Sequence, residues 1–250
     1  MSKKIILLAG PTASGKSKLA IQLSKKLNCE IINADSMQVY KEFAILSSRP
    51  NHTDLKKAKH HLYGFISAKK YFSAGEWLKL AKDKINHCHK KNKIPLIVGG
   101  TGLYFNTITK GISKIPDIDI KTRAKTRKLF QNLGYKNFYK NLLLIDPKVK
   151  NKISSSDAQR VQRAHEVFSK TGKSLFDWIK NTKSDFMNFD IKKIFIDIPR
   201  DELLKNISLR TESMFKNKCI DEVKKFNLLN LNKSLSTHKL IGVQEIKDYI

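Results

Sequence analysis

The sequence predicts a three-layer α/β core on a parallel sheet, of the P-loop kind, carrying a helical insertion. Three observations lead there. The apolar run Ile5-Ile6-Leu7-Leu8-Ala9 passes directly into the glycine-bearing loop Gly10-Pro-Thr-Ala-Ser-Gly-Lys-Ser17 and then into an amphipathic stretch. Short apolar runs then alternate with helical patterns, as helix-covered parallel sheets require. From Pro116 to about residue 183 the strand patterns stop and short helical patterns follow one another, before an apolar run returns at Ile194-Phe-Ile-Asp-Ile198.

Taken in order, the first strand spans about residues 4–9 and feeds the loop. Gly10, Gly15, Lys16 and Ser17 occupy the four defining positions of a phosphate-binding loop. The glycines let the backbone over Pro11, Thr12, Ala13 and Ser14 curl so that the loop's N–H groups point inward at phosphate oxygens. A helix from Lys16 to about residue 27 adds the positive end of its dipole. Lys16 reaches the phosphates, and the Ser17 hydroxyl is a natural Mg²⁺ ligand. Such a loop binds a diphosphate or triphosphate without specifying which. The next apolar pair, Ile31-Ile32, ends in Asn33-Ala-Asp-Ser36, polar residues where open parallel sheets place their chemistry. Ser73 can cap a helix to about residue 91, with Trp77, Leu78, Leu80, Ala81 and Ile85 on one side. Pro95-Leu-Ile-Val98 reads as a buried strand breaking into Gly99-Gly-Thr-Gly102, with a helix from Leu103. Helices follow at about 117–133, 135–145, 147–153, 157–171 and 174–180, then a buried strand at 194–198, a helix at 200–217 and another from 219. The implied domains are a core of residues 1–114 plus 184–250 and a helical insertion of 115–183.

The 250 residues can bury a full core. No apolar run approaches the ~20 residues of a membrane span, and no secretory signal precedes the first strand. Cys29, Cys88 and Cys219 are scattered and odd in number, which fits free thiols in a reducing cytoplasm. The net charge of +27 suggests a polyanion such as nucleic acid, though a solvated lysine coat explains part of it. Only seven of the 49 basic residues are arginine: 49, 123, 127, 160, 163, 200 and 210. Where lysine is the default, arginine marks places where fork geometry matters, as at phosphate or carboxylate.

Several residues admit two readings. Asp35 is either a general base or Mg²⁺ partner facing the loop, or an ordinary turn residue. Thr101 is a helix N-cap, a hydroxyl facing ligand, or both. With Asp157 as N-cap, Ala158, Val161, Ala164 and Phe168 form an apolar face, while Gln159, Arg160 and Arg163 crowd a neighbouring one. That set suits phosphate and base contact, or equally a solvated helix face. His87 and His89 flank Cys88 without sharing a helix face, and His60-His61 has no partner at metal spacing, so no zinc site is expected.

Together these segments resemble the tRNA dimethylallyltransferases (tRNA isopentenyltransferases). The likeness is carried by residues 10–17, Asp35-Ser-Met-Gln-Val-Tyr40, His60-His-Leu62, Val98-Gly-Gly-Thr-Gly-Leu-Tyr-Phe105, Asp157-Ala-Gln-Arg-Val-Gln-Arg-Ala164 and Thr171-Gly-Lys173, in order and at natural spacing. The second and fourth blocks are far more specific than the phosphate loop. The resemblance implies transfer of a dimethylallyl group from dimethylallyl diphosphate to N6 of the adenosine at tRNA position 37, 3′ of the anticodon. The loop, Gly10 to Ser17, would then hold the diphosphate leaving group, with Mg²⁺ near Ser17. Asp35 matches the general base, Thr101 a hydroxyl near the reacting centre, and Arg210 an arginine that meets the diphosphate. Ser36, Met37 and Gln38 would line the pocket of an extruded adenine. Arg123 and Gln159, Arg160, Val161, Gln162 and Arg163 match positions that contact the anticodon stem-loop. A cytoplasmic monomer is implied.

The chain departs from the family pattern in places. Leu46-Ser-Ser-Arg-Pro50 stands where Gly-Thr-Ala-Lys-Pro is usual, and Asn206 replaces an arginine. Family members also continue past the position of Ile250 through a helix rich in Arg, Gln and Lys. The alternatives are therefore a non-catalytic remnant that binds tRNA or diphosphate, and a P-loop small-molecule kinase, for which neither a lid arginine set nor a base pocket is identifiable.

Overall fold

A computed structural model describes residues 2–232 and 235–250. Five parallel strands form one sheet in the order β3-β2-β4-β1-β5. They are β1 (Lys4–Ala9), β2 (Cys29–Asn33), β3 (His60–His61), β4 (Ile94–Gly99) and β5 (Asp190–Phe195). Side chains alternate across a strand, so β1 feeds two cores. Ile5 and Leu7 join one under α3 (Ala74–Lys90) and α4 (Gly102–Thr109). Ile6 and Leu8 join another under α1 (Lys16–Lys26), through Ala20 and Leu23. Helices on both faces of a parallel sheet make the predicted three-layer core.

Local chemistry sets the element ends. Ser73 and Glu76 form a complete capping box at the start of α3. Trp77 is fully buried, donates its indole N–H to the Asn33 carbonyl at 2.8 Å, and stacks on Tyr104 with centroids 4.3 Å apart. That pair ties α3 and α4 to the C-terminal end of β2, where the sheet presents its polar residues.

Several elements differ from the sequence expectation. A helix α2 (His52–Lys57) and the two-residue β3 were not expected. The last strand is Asp190–Phe195 rather than 194–198, because its ladder with β1 runs from Lys4↔Asp190 to Ala9↔Phe195. It is an edge strand, not a buried one: Phe195 is 68% exposed. Lys192 and Lys193 on such an edge discourage pairing with another chain. Residues 147–153 form only a single 3₁₀ turn, Pro147–Val149.

The chain divides into two compact units. The first runs to Thr109 and resumes over Phe186–Ile250. It holds the sheet, the helices above, α8 (Arg200–Lys216), α9 (Cys219–Asn227) and α10 (Val243–Tyr249). The second is Lys110–Asp185 and contains α5 (Ile120–Ile145), α6 (Ala158–Thr171) and α7 (Leu175–Lys180). Its own core joins Phe138, Leu142, Val149, Ile153, Val161 and Ala164. Gly134, at φ 67° and ψ 175°, breaks α5 where two helices were expected to meet.

Candidate functional site

In the first unit, the loop after β1 is built to receive an anion. Gly15 has φ 83°, a left-handed conformation that costs glycine nothing, and Ala13 also sits at φ 61°. Gly15 is the N-cap of α1 and has no side chain to satisfy the first-turn N–H groups. Those donors are left pointing into the loop. The Lys16 ammonium bends back onto the carbonyls of Gly10, at 2.8 Å, and Pro11. Burial and, more weakly, Arg210 lower its pKa, while Asp35 opposes them. The buried Ser14 hydroxyl has no hydrogen-bond partner among the described residues, and Ser17 is exposed at the loop's edge.

The opposing wall follows β2. Asn33, fully buried, accepts the Asp35 N–H at 2.9 Å through its side chain and donates to the carbonyls of Asp35 and Leu62, each at 3.0 Å. Asp35 Oδ1 in turn accepts the Met37 N–H at 2.9 Å, so Asp35 is indeed a turn residue. Its Oδ2 makes no hydrogen bond among the described residues. Thr101 Oγ1 accepts the Ser36 N–H at 2.9 Å and donates to Ser36 Oγ at 3.3 Å. Its hydroxyl thus faces residue 36, while its carbonyl accepts the Tyr104 N–H at the start of α4. This closeness depends on Gly99. A Cβ there would lie 2.1 Å from the Ala34 carbonyl oxygen.

Arg210 projects from α8, a helix with no buried residue of its own, and is itself half-buried. Burial lowers its pKa and Asp35 raises it. Lys16, Asp35 and Arg210 therefore lie within each other's fields, two cations and one carboxylate from three separate elements.

The segment after Asp35 is held by side chains that bond its backbone. Gln38 Nε2 donates to the carbonyls of Ser47 (2.8 Å) and Ser48 (3.1 Å). Glu222 of α9, 9% exposed, accepts the N–H groups of Ala44, Ile45 and Leu46 at 2.7, 2.8 and 2.9 Å. Leu46, where the family usually has glycine, fills the core beside Cys219 and Val243 and lies under Gly242. Arg49 is spent on structure: it donates to the Tyr40 carbonyl at 2.9 Å and packs on Gly64. An isolated Glu in an amphipathic helix carries no sequence signal for a triple amide clamp 176 residues away.

In the second unit, α6 places its residues in two classes. Gln159 and Arg160 are exposed, and Gln162 and Arg163 are partly so. The two arginines pair with acids on their own helix, Arg160 with Asp157 at 3.4 Å and Arg163 with Glu166 at 3.5 Å. Val161 is a correction: at 1% exposure it belongs to the core with Phe138 and Leu142, so its side chain is not on the surface expected to meet tRNA. Arg123 of α5 has a buried Nε without a partner among the described residues.

The residues fit a hard cation only as partial ligands. Ser17 offers an exposed hydroxyl and Asp35 a carboxylate oxygen, and Mg²⁺ normally completes its shell with phosphate oxygens and water. The orphaned Ser14 hydroxyl and the uncapped α1 N-terminus beside them suit an anion.

No helix among the described residues is long and apolar enough to cross a membrane. The family model described as IPP transferase matches residues 38–250. The chain is 50% identical over 247 residues to the tRNA dimethylallyltransferase of Pelagibacter ubique, covering 99% of this chain and 79% of that one. It superposes with a TM-score of 0.85 on a eukaryotic dimethylallyltransferase crystallised acting on tRNA, at 26% identity, spanning 99% of this chain and 63% of that chain. It also matches the tRNA isopentenylpyrophosphate transferase of Bacillus halodurans with a TM-score of 0.66 and 29% identity, over all of this chain and 77% of that one.

Proposed function

The chain belongs to the IPP transferase family, and from that membership we propose that it transfers a dimethylallyl group from dimethylallyl diphosphate to N6 of the adenosine at position 37 of tRNA, releasing diphosphate. The observation that carries the reading is the charge cluster at the sheet's C-terminal end: Lys16 and Arg210 as cations and Asp35 as the carboxylate within their field.

The chemistry assigns each group a task. The N6 amine attacks C1 of the dimethylallyl group, the N6–C1 bond forms, and the C1–O bond breaks with its electron pair leaving on diphosphate. Negative charge thus grows on the departing oxygens. The uncapped N–H groups at the start of α1, the Lys16 ammonium and Arg210 face that charge; preorganised donors of this kind supply the largest stabilisation in such reactions. When diphosphate occupies the loop, Lys16 exchanges its bonds to the Gly10 and Pro11 carbonyls for phosphate oxygens. Mg²⁺, held by Ser17 and the diphosphate, would supply further neutralisation of the leaving group.

An adenine amine is a weak nucleophile, so the N6 proton needs an acceptor. Asp35 Oδ2 is the free carboxylate oxygen, while Oδ1 is fixed by the Met37 N–H and the backbone by Asn33. A base oriented this firmly loses little entropy on reaching the transition state. Thr101, locked to Ser36, sets the wall beside it. Residues 36–38 form the turn offered to the base, with Gln38 committed through its amide to the 47–48 segment. The exposed face of α6 with Gln159, Arg160 and Arg163, together with Arg123 on α5, is assigned to the anticodon stem-loop, as a separate helical unit gripping RNA backbone. Val161 serves that face from beneath, by fixing the helix.

The test is single-turnover transfer of label from radiolabelled dimethylallyl diphosphate to an anticodon stem-loop RNA with Mg²⁺. Label in the RNA, lost when the target adenosine is replaced by guanosine, is the expected result. RNA binding without label would overturn the enzymatic reading in favour of a binding protein.

A further inference from the structure

The fold gathers a second set of donors around β2, β3 and the end of α3. Glu30 is the second residue of β2, His61 ends β3, and Cys88 lies in the last turn of α3. Glu30 lies near the N-terminal end of its strand, and His61 stands opposite Ile32 of β2. All three are buried, at 3%, 9% and 0% exposure. A carboxylate oxygen, an imidazole nitrogen and a thiol sulfur from these residues all lie within 4.8 Å of one another. His61 Nε2 is 2.6 Å from Glu30 Oε2, and Cys88 Sγ is 3.9 Å from the same oxygen.

We propose that Glu30, His61 and Cys88 form a binding site for a divalent cation of the zinc class, separate from the transfer site. Three features point there. The donors are of three kinds and come from three elements, whereas a simple buried ion pair needs only two. One thiolate, one imidazole and one carboxylate make the borderline-soft set that zinc takes, with a fourth position for water; magnesium prefers oxygen alone. Lys93 Nζ, 3.1 Å from Glu30 Oε1, grips the carboxylate by its other oxygen, as outer-shell partners of metal-bound carboxylates do. Its side chain is 35% exposed, so the positive charge in excess faces water.

Coordination has a defined proton balance. Zinc binds the thiolate, so coordination displaces the Cys88 proton. His61 coordinates as a neutral imidazole, its single proton on Nδ1 when Nε2 takes the metal. One proton is therefore released per ion bound. The spacing of His60 and His61 offered no hint of this, because both partners are distant in sequence and only β2–β3 pairing and the return of α3 bring them together.

The experiment uses the full chain, purified under reductant and stripped with chelator, then titrated with Co²⁺. We expect thiolate-to-cobalt absorption in the near ultraviolet, saturating at one ion per chain and abolished by added Zn²⁺. Cys88→Ser should remove the band, Glu30→Gln should weaken Co²⁺ binding by at least about tenfold, and Cys29→Ser should leave both unchanged. Zn²⁺ should raise the thermal midpoint of the wild type and not that of Cys88→Ser. No saturable band at one equivalent, or a band that survives Cys88→Ser, would overturn the site. Because neither readout involves transfer, failure here leaves the reading of the loop and Asp35 untouched.

Discussion

Asp35→Asn separates the two roles of that residue. Asparagine keeps a side-chain oxygen to accept the Met37 N–H, now at 2.9 Å, so the turn and the Ser36–Thr101 contact persist. It loses the charge and the second acceptor oxygen, hence the base. A positioned general base is worth roughly 10²–10⁴ in rate, or about 2.7–5.4 kcal/mol of barrier at 1.36 kcal/mol per decade. The ground state moves the other way. Asp35 supports the positive charge of Lys16 and Arg210 but also offsets it, so its neutralisation leaves the pocket more cationic and diphosphate binding unchanged or tighter. Single-turnover transfer, with substrate and RNA affinities measured separately, should thus show a loss of 10²–10⁴ in rate with both affinities retained. Asp35→Ala should lose the same rate and, by orphaning the Met37 N–H, about 1 kcal/mol of stability in addition. A rate for Asp35→Asn within tenfold of wild type, or a loss matched by lost RNA binding, would refute the assignment of the base.

Gly99→Ala drives a methyl to 2.1 Å from the Ala34 carbonyl, so the end of β4 must move off β2; chemical denaturation should show a loss of roughly 1–3 kcal/mol or more, and transfer should fall as Thr101 leaves Ser36. Val161→Ala, in the core of the second unit, should cost about 2 kcal/mol from lost burial and the cavity, while RNA affinity measured well below the melting temperature stays within a few-fold. If instead affinity collapses with stability intact, Val161 is a contact after all. For Lys16, burial favours the neutral amine, so the charged form needed for diphosphate is lost as pH rises through a value below the ordinary 10.5. The alkaline limb of kcat/KM should therefore begin below that value and move to higher pH in Lys16→Arg; an unmoved limb would assign it to another group.

Much of the fold was legible because its signals are local. A phosphate loop is a contiguous run whose glycines and lysine act through the backbone on either side. The capping box at Ser73 and Glu76 and the helix break at Gly134 are likewise decided within a few residues. The last strand was misplaced by four residues at its start because Asp190, Lys192 and Lys193 look nothing like a buried strand; they belong to a strand only through pairing with β1 at the sheet's edge. The two-residue β3 exists only as a partner of Ile31 and Ile32, so no pattern within it could announce it.

The candidate site divides along the same line. Sequence alone determined which chemistry was available: a phosphate loop at 10–17, a carboxylate after the second strand, a hydroxyl after the glycine turn, and an amphipathic helix with arginines. Each is written in adjacent residues, where backbone geometry and periodicity are set by near neighbours. Tertiary structure decided what those groups do for one another. It joined Arg210 to Lys16 and Asp35, spent Arg49 on the Tyr40 carbonyl, buried Val161 and set Glu222 under three amides. It also gathered Glu30, His61 and Cys88. Fields and hydrogen bonds fall off with distance through space, and only the folded sheet turns separations of tens to hundreds of residues into a few ångströms.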